Sequence, residues 1–224
     1  METRTALLAR SIDHTNLSAA ATREDIKQLC KEAVKYEFAA ICINPWHVYH
    51  AAQQLAGSEV KVATVIGFPL GTTTSATKVF EANEAAQNGA DEIDVVINIA
   101  ALKEGLLGYN RDELISIREA VPGISIKVIL ETALLSDAEK RTGALLVQEI
   151  GAQMVKTSTG FNAGATLEDI YLLRETVPEL GIKASGGIRD ASFAWQLLEA
   201  GASRLGTSSG IKIISEMLLL ESKN

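Results

Sequence analysis

The chain has 224 residues and a formal charge of −7, from 21 lysines and arginines against 28 aspartates and glutamates. Only 5% of the residues are aromatic. The sequence therefore lacks both the basic surface that neutralises phosphates and the rings that stack on bases, and it predicts no nucleic-acid partner. No apolar run reaches the ~18–20 residues of a membrane span, and the N-terminus lacks the apolar core of a signal peptide. The two cysteines, Cys30 and Cys42, are too few for a disulfide framework, so we expect free thiols in a cytoplasmic protein.

Short runs rich in Val, Ile and Ala alternate with longer amphipathic runs along the whole chain. Near-continuous apolar runs of this length are typical of strands that are buried on both faces. The predicted strands are Ile12–Thr15, Ala39–Asn44, Lys61–Gly67, Glu92–Asn98, Ile126–Glu131, Gln153–Ser158, Ile182–Ser185 and Arg204–Thr207.

The segments between these strands have helical periodicity and carry helix start and stop signals. Ser136 and Glu139 have the spacing of a capping box, and Gly89 and Gly151 follow the ends of two helices. The predicted helices are Thr22–Tyr36, Pro45–Ala56, Ala76–Asn88, Arg111–Ala120, Ser136–Ile150, Leu167–Thr176, Ala191–Ala200 and Ile211–Glu221.

The repeated β-α units predict a protein of the α/β class with parallel strands. Eight units without a linker or a break in composition favour a single-domain (β/α)8 barrel, the TIM barrel, that spans residues 1–224. An open doubly wound sheet is the alternative, because the number of strands does not by itself establish closure.

Single charged residues interrupt the apolar strands. They are Asp13, Asp94, Lys127, Lys156 and Lys183. A charge inside an apolar strand is costly unless it is paired or hydrogen-bonded. If all of these side chains point inward, they form one polar layer near the carboxyl ends of the strands, where barrel enzymes place their chemistry. The alternative is that each charge forms an ion pair at the other end of the barrel or points outward.

Lysines in such a layer predict amine chemistry. A buried lysine beside another cation has a lowered pKa, because burial and like charge both disfavour the ammonium form. The free amine attacks a carbonyl carbon and forms a Schiff base, which requires no metal or other cofactor. We expect Lys156 and Lys183, on neighbouring strands, to act on each other in this way while Asp94 and Lys127 move protons. These arguments do not decide which lysine is the nucleophile.

Three loops after the last strands are rich in glycine and hydroxyl groups, namely residues 157–161, 185–189 and 206–210. Glycine lets the backbone approach an anion, and barrels of this kind often bind phosphate after strands 7 and 8. We therefore expect a phosphorylated small-molecule substrate; the alternative is that these segments are tight turns that bind nothing.

Two histidines are candidates for a metal site. His47 and His50 share one face of a predicted helix, but no third ligand lies nearby in the sequence. We therefore expect them to lie on a solvated helix surface, and we predict no metal.

The combined motifs make the chain similar to the deoxyribose-phosphate aldolases, a family of class I (Schiff-base) aldolases, from the first strand to the last. The segments that carry this resemblance are Ile12–Thr15, Val62–Gly71, Glu92–Asn98, Lys156–Phe161, Lys183–Arg189 and Gly206–Gly210.

The resemblance implies reversible cleavage of 2-deoxy-D-ribose 5-phosphate to D-glyceraldehyde 3-phosphate and acetaldehyde. It implies that Lys156 forms the Schiff base, that Lys183 is the second lysine, and that Asp94 donates and accepts protons. Asp13 and Lys127 match supporting polar positions. The positions that the resemblance assigns to the substrate phosphate are Gly160, Gly186, Gly187, Gly206, Ser208 and Ser209.

Two other functions remain open at this point. One is a different Schiff-base lyase that acts on another phosphorylated sugar, and the other is a non-catalytic barrel that binds a sugar phosphate. Barrels of this kind often pair through their helix faces, so a homo-oligomer is also expected.

Overall fold

The computed structural model describes residues 3–222 and shows a closed barrel of eight parallel strands in the order in which they occur in the chain. Every strand is hydrogen-bonded to its neighbours in sequence, and β1 closes the barrel against β8. The strands are β1 (Ile12–Asn16), β2 (Ala40–Ile43), β3 (Lys61–Ile66), β4 (Glu92–Val96), β5 (Ser125–Ile129), β6 (Met154–Lys156), β7 (Gly181–Ser185) and β8 (Arg204–Thr207).

Helices surround the barrel and connect consecutive strands. They are α1 (Arg4–Arg10), α2 (Arg23–Lys35), α3 (Val48–Gln54), α4 (Ser75–Gln87), α5 (Ile99–Lys103), α6 (Leu107–Ala120), α7 (Asp137–Glu149), α8 (Leu167–Thr176), α9 (Ala191–Glu199) and α10 (Gly210–Glu221). The predicted (β/α)8 barrel is thus confirmed, and the open sheet is excluded. The predicted domain, 1–224, also includes residues 1, 2, 223 and 224, which lie outside the described residues.

Capping side chains mark the starts of several helices. Ser136 accepts a hydrogen bond from the amide of Glu139, whose carboxylate accepts one from the amide of Ser136, so the predicted capping box closes before α7. Residues 45–47 form a 3-10 turn that leads into α3, where proline needs no hydrogen-bond partner for its nitrogen.

The predicted helices missed two elements. Helix α5 lies between β4 and α6 and has only five residues, too few to form a long amphipathic run in the sequence. Helix α1 precedes the first predicted strand and packs against α10. Helix α6 begins at Leu107 rather than at the predicted Arg111, and its first turn has no capping side chain to mark it.

The apolar core lies between the barrel and the helices. Ile93 and Val95, on the face of β4 opposite to Asp94, are buried in this layer with Leu114 of α6 and Ile170 of α8. Strand side chains alternate between the two faces, so the residues that do not enter this layer point into the barrel. None of the helices within residues 3–222 is long and apolar enough to cross a membrane.

The barrel interior is divided into an apolar part and a charged part. Strands β2 and β3 contribute the apolar part, with Ala40, Cys42, Ala63 and Val65 in contact with one another. The remaining strands contribute the charged residues, which are described next. The charged side chains therefore lie on one side of the barrel interior, opposite the small apolar side chains of β2 and β3.

Candidate active site

The structure brings all five predicted charged residues together inside the barrel. Asp94 of β4 and Lys127 of β5 are register partners, as are Lys156 of β6 and Lys183 of β7. Asp13 enters from β1. Each of the five is at most 3% exposed, so the predicted polar layer exists and the outward-pointing alternative is excluded.

The carboxylate of Asp94 is the centre of this layer. Its Oδ1 accepts a hydrogen bond of 2.9 Å from Lys127, and its Oδ2 accepts bonds of 2.7 Å from both Lys156 and Lys183. Burial opposes ionisation of this carboxylate, but the three ammonium groups outweigh it and hold the pKa of Asp94 well below its ordinary value. Asp94 therefore favours the charged form as long as these lysines carry their protons.

Lys183 lies between two carboxylates. Its Nζ donates to Asp13 Oδ2 and to Asp94 Oδ2. Burial disfavours its charge, but Asp13 and Asp94 outweigh burial and raise the pKa of Lys183 above its ordinary value. The expectation that a neighbouring lysine lowers the pKa is therefore wrong for Lys183, because both carboxylates contact it directly. Lys183 therefore favours the ammonium form.

Lys156 has different surroundings. Among the described residues it forms an ion pair only with Asp94, and of the three lysines of this layer it alone lines the main cavity. It is also the only one of the three that retains any exposure, 3%. An aldehyde that enters the cavity from the open end therefore meets the amine of Lys156 first.

Two further charged residues, Glu92 and Arg204, extend the layer toward the amino ends of the strands. Lys127 lies 2.5 Å from Glu92 Oε2, while Arg204 Nη1 lies 2.7 Å from Asp13 Oδ1 and 3.3 Å from Glu92 Oε2. Neither residue was predicted, because charges at the first position of a strand resemble surface charges. The available signal was spacing, since Glu92 lies two residues before Asp94 and so shares its face.

The main cavity has a volume of about 670 Å³ and opens at the carboxyl ends of the strands. Its inner wall includes Lys156, Thr159 and Ser185. The mouth also includes His14, whose Nε2 lies 2.8 Å from Glu32 Oε2, a pair that the sequence did not indicate. The cavity thus joins the amine to a polar mouth.

The predicted phosphate loops form the side of this cavity next to β6, β7 and β8. Gly160, Gly186, Gly187, Gly206 and Ser208 line it. Gly160 and Gly186 have φ angles of +86°, and a Cβ on Gly186 would meet the Ala163 carbonyl at 2.9 Å, so only glycine fits this approach of two loops.

Two further residues lie near these loops. Ser209 is not part of the cavity wall; it lies at the start of α10, and its amide donates to Thr207 Oγ1 at 2.9 Å. Arg189 lines the cavity and supplies a cation beside the glycine loops.

The buried thiol of Cys42 also points into the barrel. Its Sγ lies 3.9 Å from Asp94 Oδ2. Burial raises the pKa of Cys42, so the thiol stays neutral beside the charged layer.

The histidines do not lie where the sequence placed them. His47 is buried, with Nε2 3.2 Å from the Ala21 carbonyl, and His50 is half-buried. The prediction of a solvated helix surface is wrong because α2 packs against this segment. Within residues 3–222, no group of three His, Cys, Asp or Glu residues is arranged to hold a metal ion.

The closed barrel and the lysine on its cavity wall are features of a barrel aldolase. A family model described as DeoC/LacD family aldolase matches residues 7–216, which is nearly the whole chain. This chain belongs to that family.

Individual relatives agree with this assignment. A deoxyribose-phosphate aldolase of Caldicellulosiruptor saccharolyticus is 52% identical over 214 residues, which cover 93% of this chain and 97% of the relative. The crystal structure of a putative deoxyribose-phosphate aldolase from Coccidioides immitis superposes with a TM-score of 0.94 at 41% identity, covering 97% and 88% of the two chains. A deoxyribose phosphate aldolase from Aeropyrum pernix, described as a unique tetramer, has a TM-score of 0.90 at 33% identity and coverages of 96% and 93%.

The ion pairs of Asp13 make acid stability a test of this layer. Burial opposes its charge, but Lys183, Lys127 and Arg204 outweigh burial and lower the pKa of Asp13 from 3.8 to about 2. A carboxylate with a lowered pKa in the folded state stabilises fully above the unfolded value, and this contribution is lost as the pH falls toward the folded value. The window is therefore about pH 4 to 2, and the contribution is about 2 kcal/mol.

We expect the free energy of unfolding of Asp13→Asn to fall less steeply than that of the wild type over this window, because the variant has no proton to take up there. Urea unfolding at several pH values between 5 and 2 measures the slopes. Asp112→Asn, at an exposed position of α6, is the control and should keep the wild-type slope. Equal slopes for all three proteins would contradict the assignment.

Proposed function

We propose that this protein cleaves 2-deoxy-D-ribose 5-phosphate reversibly to D-glyceraldehyde 3-phosphate and acetaldehyde, with Lys156 as the Schiff-base residue. The observation that carries the proposal is the position of Lys156: it lies on the cavity wall, beside a second lysine that two carboxylates hold in the ammonium form. The names of relatives about 50% identical to this chain support the substrate.

The first half of the reaction forms the covalent intermediate. The free amine of Lys156 attacks C1 of the open-chain sugar, and loss of water gives a protonated Schiff base. This cation withdraws the electron pair of the C2–C3 bond as that bond breaks. The C3 hydroxyl loses its proton and becomes the aldehyde of glyceraldehyde 3-phosphate, while C1 and C2 remain on Lys156 as an enamine.

The second half releases acetaldehyde. The enamine takes a proton at C2 and becomes a Schiff base again, and water hydrolyses it to acetaldehyde and the free amine. We assign the proton transfers to Asp94 and Lys183, since Asp94 Oδ2 contacts both the reacting amine and the second lysine. The charged Lys183 is the donor of this pair, and Asp94 is the acceptor. Asp13 and Lys127 act as positioning residues, because they pair with Lys183 and Asp94 respectively.

The phosphate end supplies orientation. We assign the substrate phosphate to the loops of Gly160, Gly186, Gly187, Gly206 and Ser208, with Arg189 as the nearby cation. The loop of Gly206 and Ser208 leads into the start of α10. A helix start and exposed loop amides favour a dianion. Binding at this remote end then holds C1 against Lys156 and lowers the entropic cost of reaching the transition state.

The role of Lys156 is tested by trapping. Sodium borohydride added with acetaldehyde should reduce the Schiff base and leave one ethyl group on Lys156, which peptide mass spectrometry locates. Lys156→Ala should lose more than about a thousandfold in cleavage rate while remaining folded. Lys27→Ala, at an exposed pair on α2, is the matched control and should be trapped and active like the wild type.

Three results would contradict this assignment. An ethyl group on Lys183 would reverse the roles of the two lysines. Rapid turnover by Lys156→Ala would exclude a Schiff base at that position. Ligand binding without any trapping would favour the non-catalytic barrel over an enzyme. Comparison of sugar phosphates with and without a 2-hydroxyl group separates the proposed reaction from that of another Schiff-base lyase.

The phosphate assignment is tested with Ser208, an exposed residue of the cavity wall. Ser208→Asp places a negative charge beside the expected phosphate, so KM for deoxyribose 5-phosphate should rise more than about tenfold by charge repulsion. Steady-state kinetics with unphosphorylated deoxyribose should show little change. Ser215→Asp, exposed on α10, is the control; equal effects of Ser208→Asp on both substrates would place the phosphate elsewhere.

We also propose that residues 1–224 act as one domain in the cytoplasm and that the protein forms a homo-oligomer. The buried free thiols of Cys30 and Cys42 are compatible with a reducing compartment. The exposed leucines Leu218 and Leu219 of α10 and the tetrameric relative from Aeropyrum pernix support self-association. Light scattering would show a mass above that of one chain; a monomer at all concentrations would contradict this.

A further inference from the structure

The interior of the barrel contains an unequal number of positive and negative groups. Within residues 3–222, one connected set of ion pairs runs from the amino ends of the strands to the cavity. Its cations are Lys127, Lys156, Lys183 and Arg204, and its carboxylates are Asp13, Glu92 and Asp94. With every group ionised, the set carries one excess positive charge.

Lys127 and Arg204 are held in their charged forms. Burial and the neighbouring Lys183 both disfavour the charge of Lys127. The carboxylates of Asp94, Asp13 and Glu92 outweigh these two effects and raise the pKa of Lys127. The pKa of Arg204 is also raised, because Asp13 and Glu92 outweigh its burial. Lys156 differs from these cations, because among the described residues it has a single carboxylate partner and it lines the cavity.

Arg204 and Glu92 do not line the cavity, but a chain of ion pairs connects them to Lys156. Arg204 binds Asp13, Asp13 binds Lys183, and Lys183 shares Asp94 Oδ2 with Lys156. Glu92 neutralises Lys127 and Arg204 from the other side. The side chains in these contacts are at most 15% exposed, so their charges are screened less than charges at the surface.

We infer that Arg204 and Glu92 are positioning residues that set, by charge balance across the barrel, the fraction of Lys156 present as the free amine at a given pH. This inference rests on the proposed role of Lys156. Arg204 favours the free amine because it adds to the excess positive charge, and Glu92 favours the ammonium because it reduces that excess. Neither residue has a part in the reaction beyond this.

Strands β2 and β3 add no charged side chain to this connected set of ion pairs. Strand β3 places Ala63 and Val65 toward the interior, and Cys42 of β2 stays a neutral thiol because burial raises its pKa. Glu131, beyond the end of β5, is a further buried carboxyl group; its Oε2 accepts a hydrogen bond from Thr159 Oγ1, and among the described residues it forms no ion pair. Outside the ion-pair set, the thiol of Cys42 (β2) lies 3.9 Å from Asp94 Oδ2. The cavity that Lys156 lines also contains the titratable side chains of His14 (β1), Asp25 and Glu32 (α2) and Arg189.

The test is the pH dependence of Schiff-base formation in variants that change the balance in opposite directions. The rising limb of kcat/KM, and of borohydride trapping with acetaldehyde, reports deprotonation of the reacting amine. Arg204→Met should move the rising limb of both profiles, kcat/KM and trapping, to higher pH. Glu92→Gln should move the rising limb of both profiles to lower pH, and each shift should be about 0.5 to 1 pH unit. The double variant Arg204→Met/Glu92→Gln should return close to the wild-type position.

The controls remove one positive and one negative charge from an exposed ion pair instead of from the interior. Arg111 and Glu149 form a 2.7 Å ion pair on the outer surface, so Arg111→Met and Glu149→Gln should leave both limbs in place. Structural damage alone would move the two interior variants in the same direction or lower their rates without moving the limbs, and either result would overturn the inference. If Arg204→Met does not fold, the sign of the shift in Glu92→Gln against Glu149→Gln decides the question.

The outcome also separates this inference from the proposed function. Absence of trapping at Lys156 in the wild-type protein would mean that the proposed function has failed. Trapping at Lys156 with limbs that do not move in Arg204→Met and Glu92→Gln would refute only the charge-balance inference.

Discussion

The structure depends on the contact of one buried carboxylate with three lysines. Asp94 has no exposed surface, and an isolated carboxylate at such a depth would be prohibitively costly. The amines of Lys127, Lys156 and Lys183 compensate for that cost, and in return Asp94 allows them to lie inside the barrel. Because each partner would be unstable without the others, the register of β4 to β7 is fixed by electrostatics as well as by the apolar layer outside the barrel.

The same arrangement explains why the charges are restricted to one side of the interior. The small apolar side chains of β2 and β3 fill the space opposite the lysines without offering a hydrogen-bond partner. The lysine side chains are therefore directed toward the carboxylates of β1 and β4. A substrate that reaches this space finds a fixed arrangement of donors and acceptors, which is the preorganisation on which electrostatic catalysis depends.

Much of the fold was predictable because its signals are local. Eight apolar runs with helical segments between them identified every strand of the barrel, and the glycines after the helices located the turns. Helix α5 was missed because five residues are too few for a periodic pattern. Part of the site was also predictable, since Asp94 and Lys156 interrupt apolar runs. Glu92 and Arg204 begin their strands and look like ordinary surface charges in the sequence.

What the sequence could not supply is the pairing across strands, and this pairing is what distinguishes three chemically identical amines. Lys127 contacts Glu92 and Asp94, and Lys183 contacts Asp13 and Asp94, so both are stabilised as ammonium groups. Lys156 shares its single carboxylate, Asp94, with the other two. From spacing alone, Lys183 and Lys156 were equivalent, and the expected effect of one on the pKa of the other had the wrong sign for Lys183 because the contribution of Asp13 was not visible. The difference in surroundings among the lysines is therefore a property of the closed barrel, in which β1 and β8 bring Asp13 next to β7 and leave Lys156 as the lysine of this layer that lines the cavity.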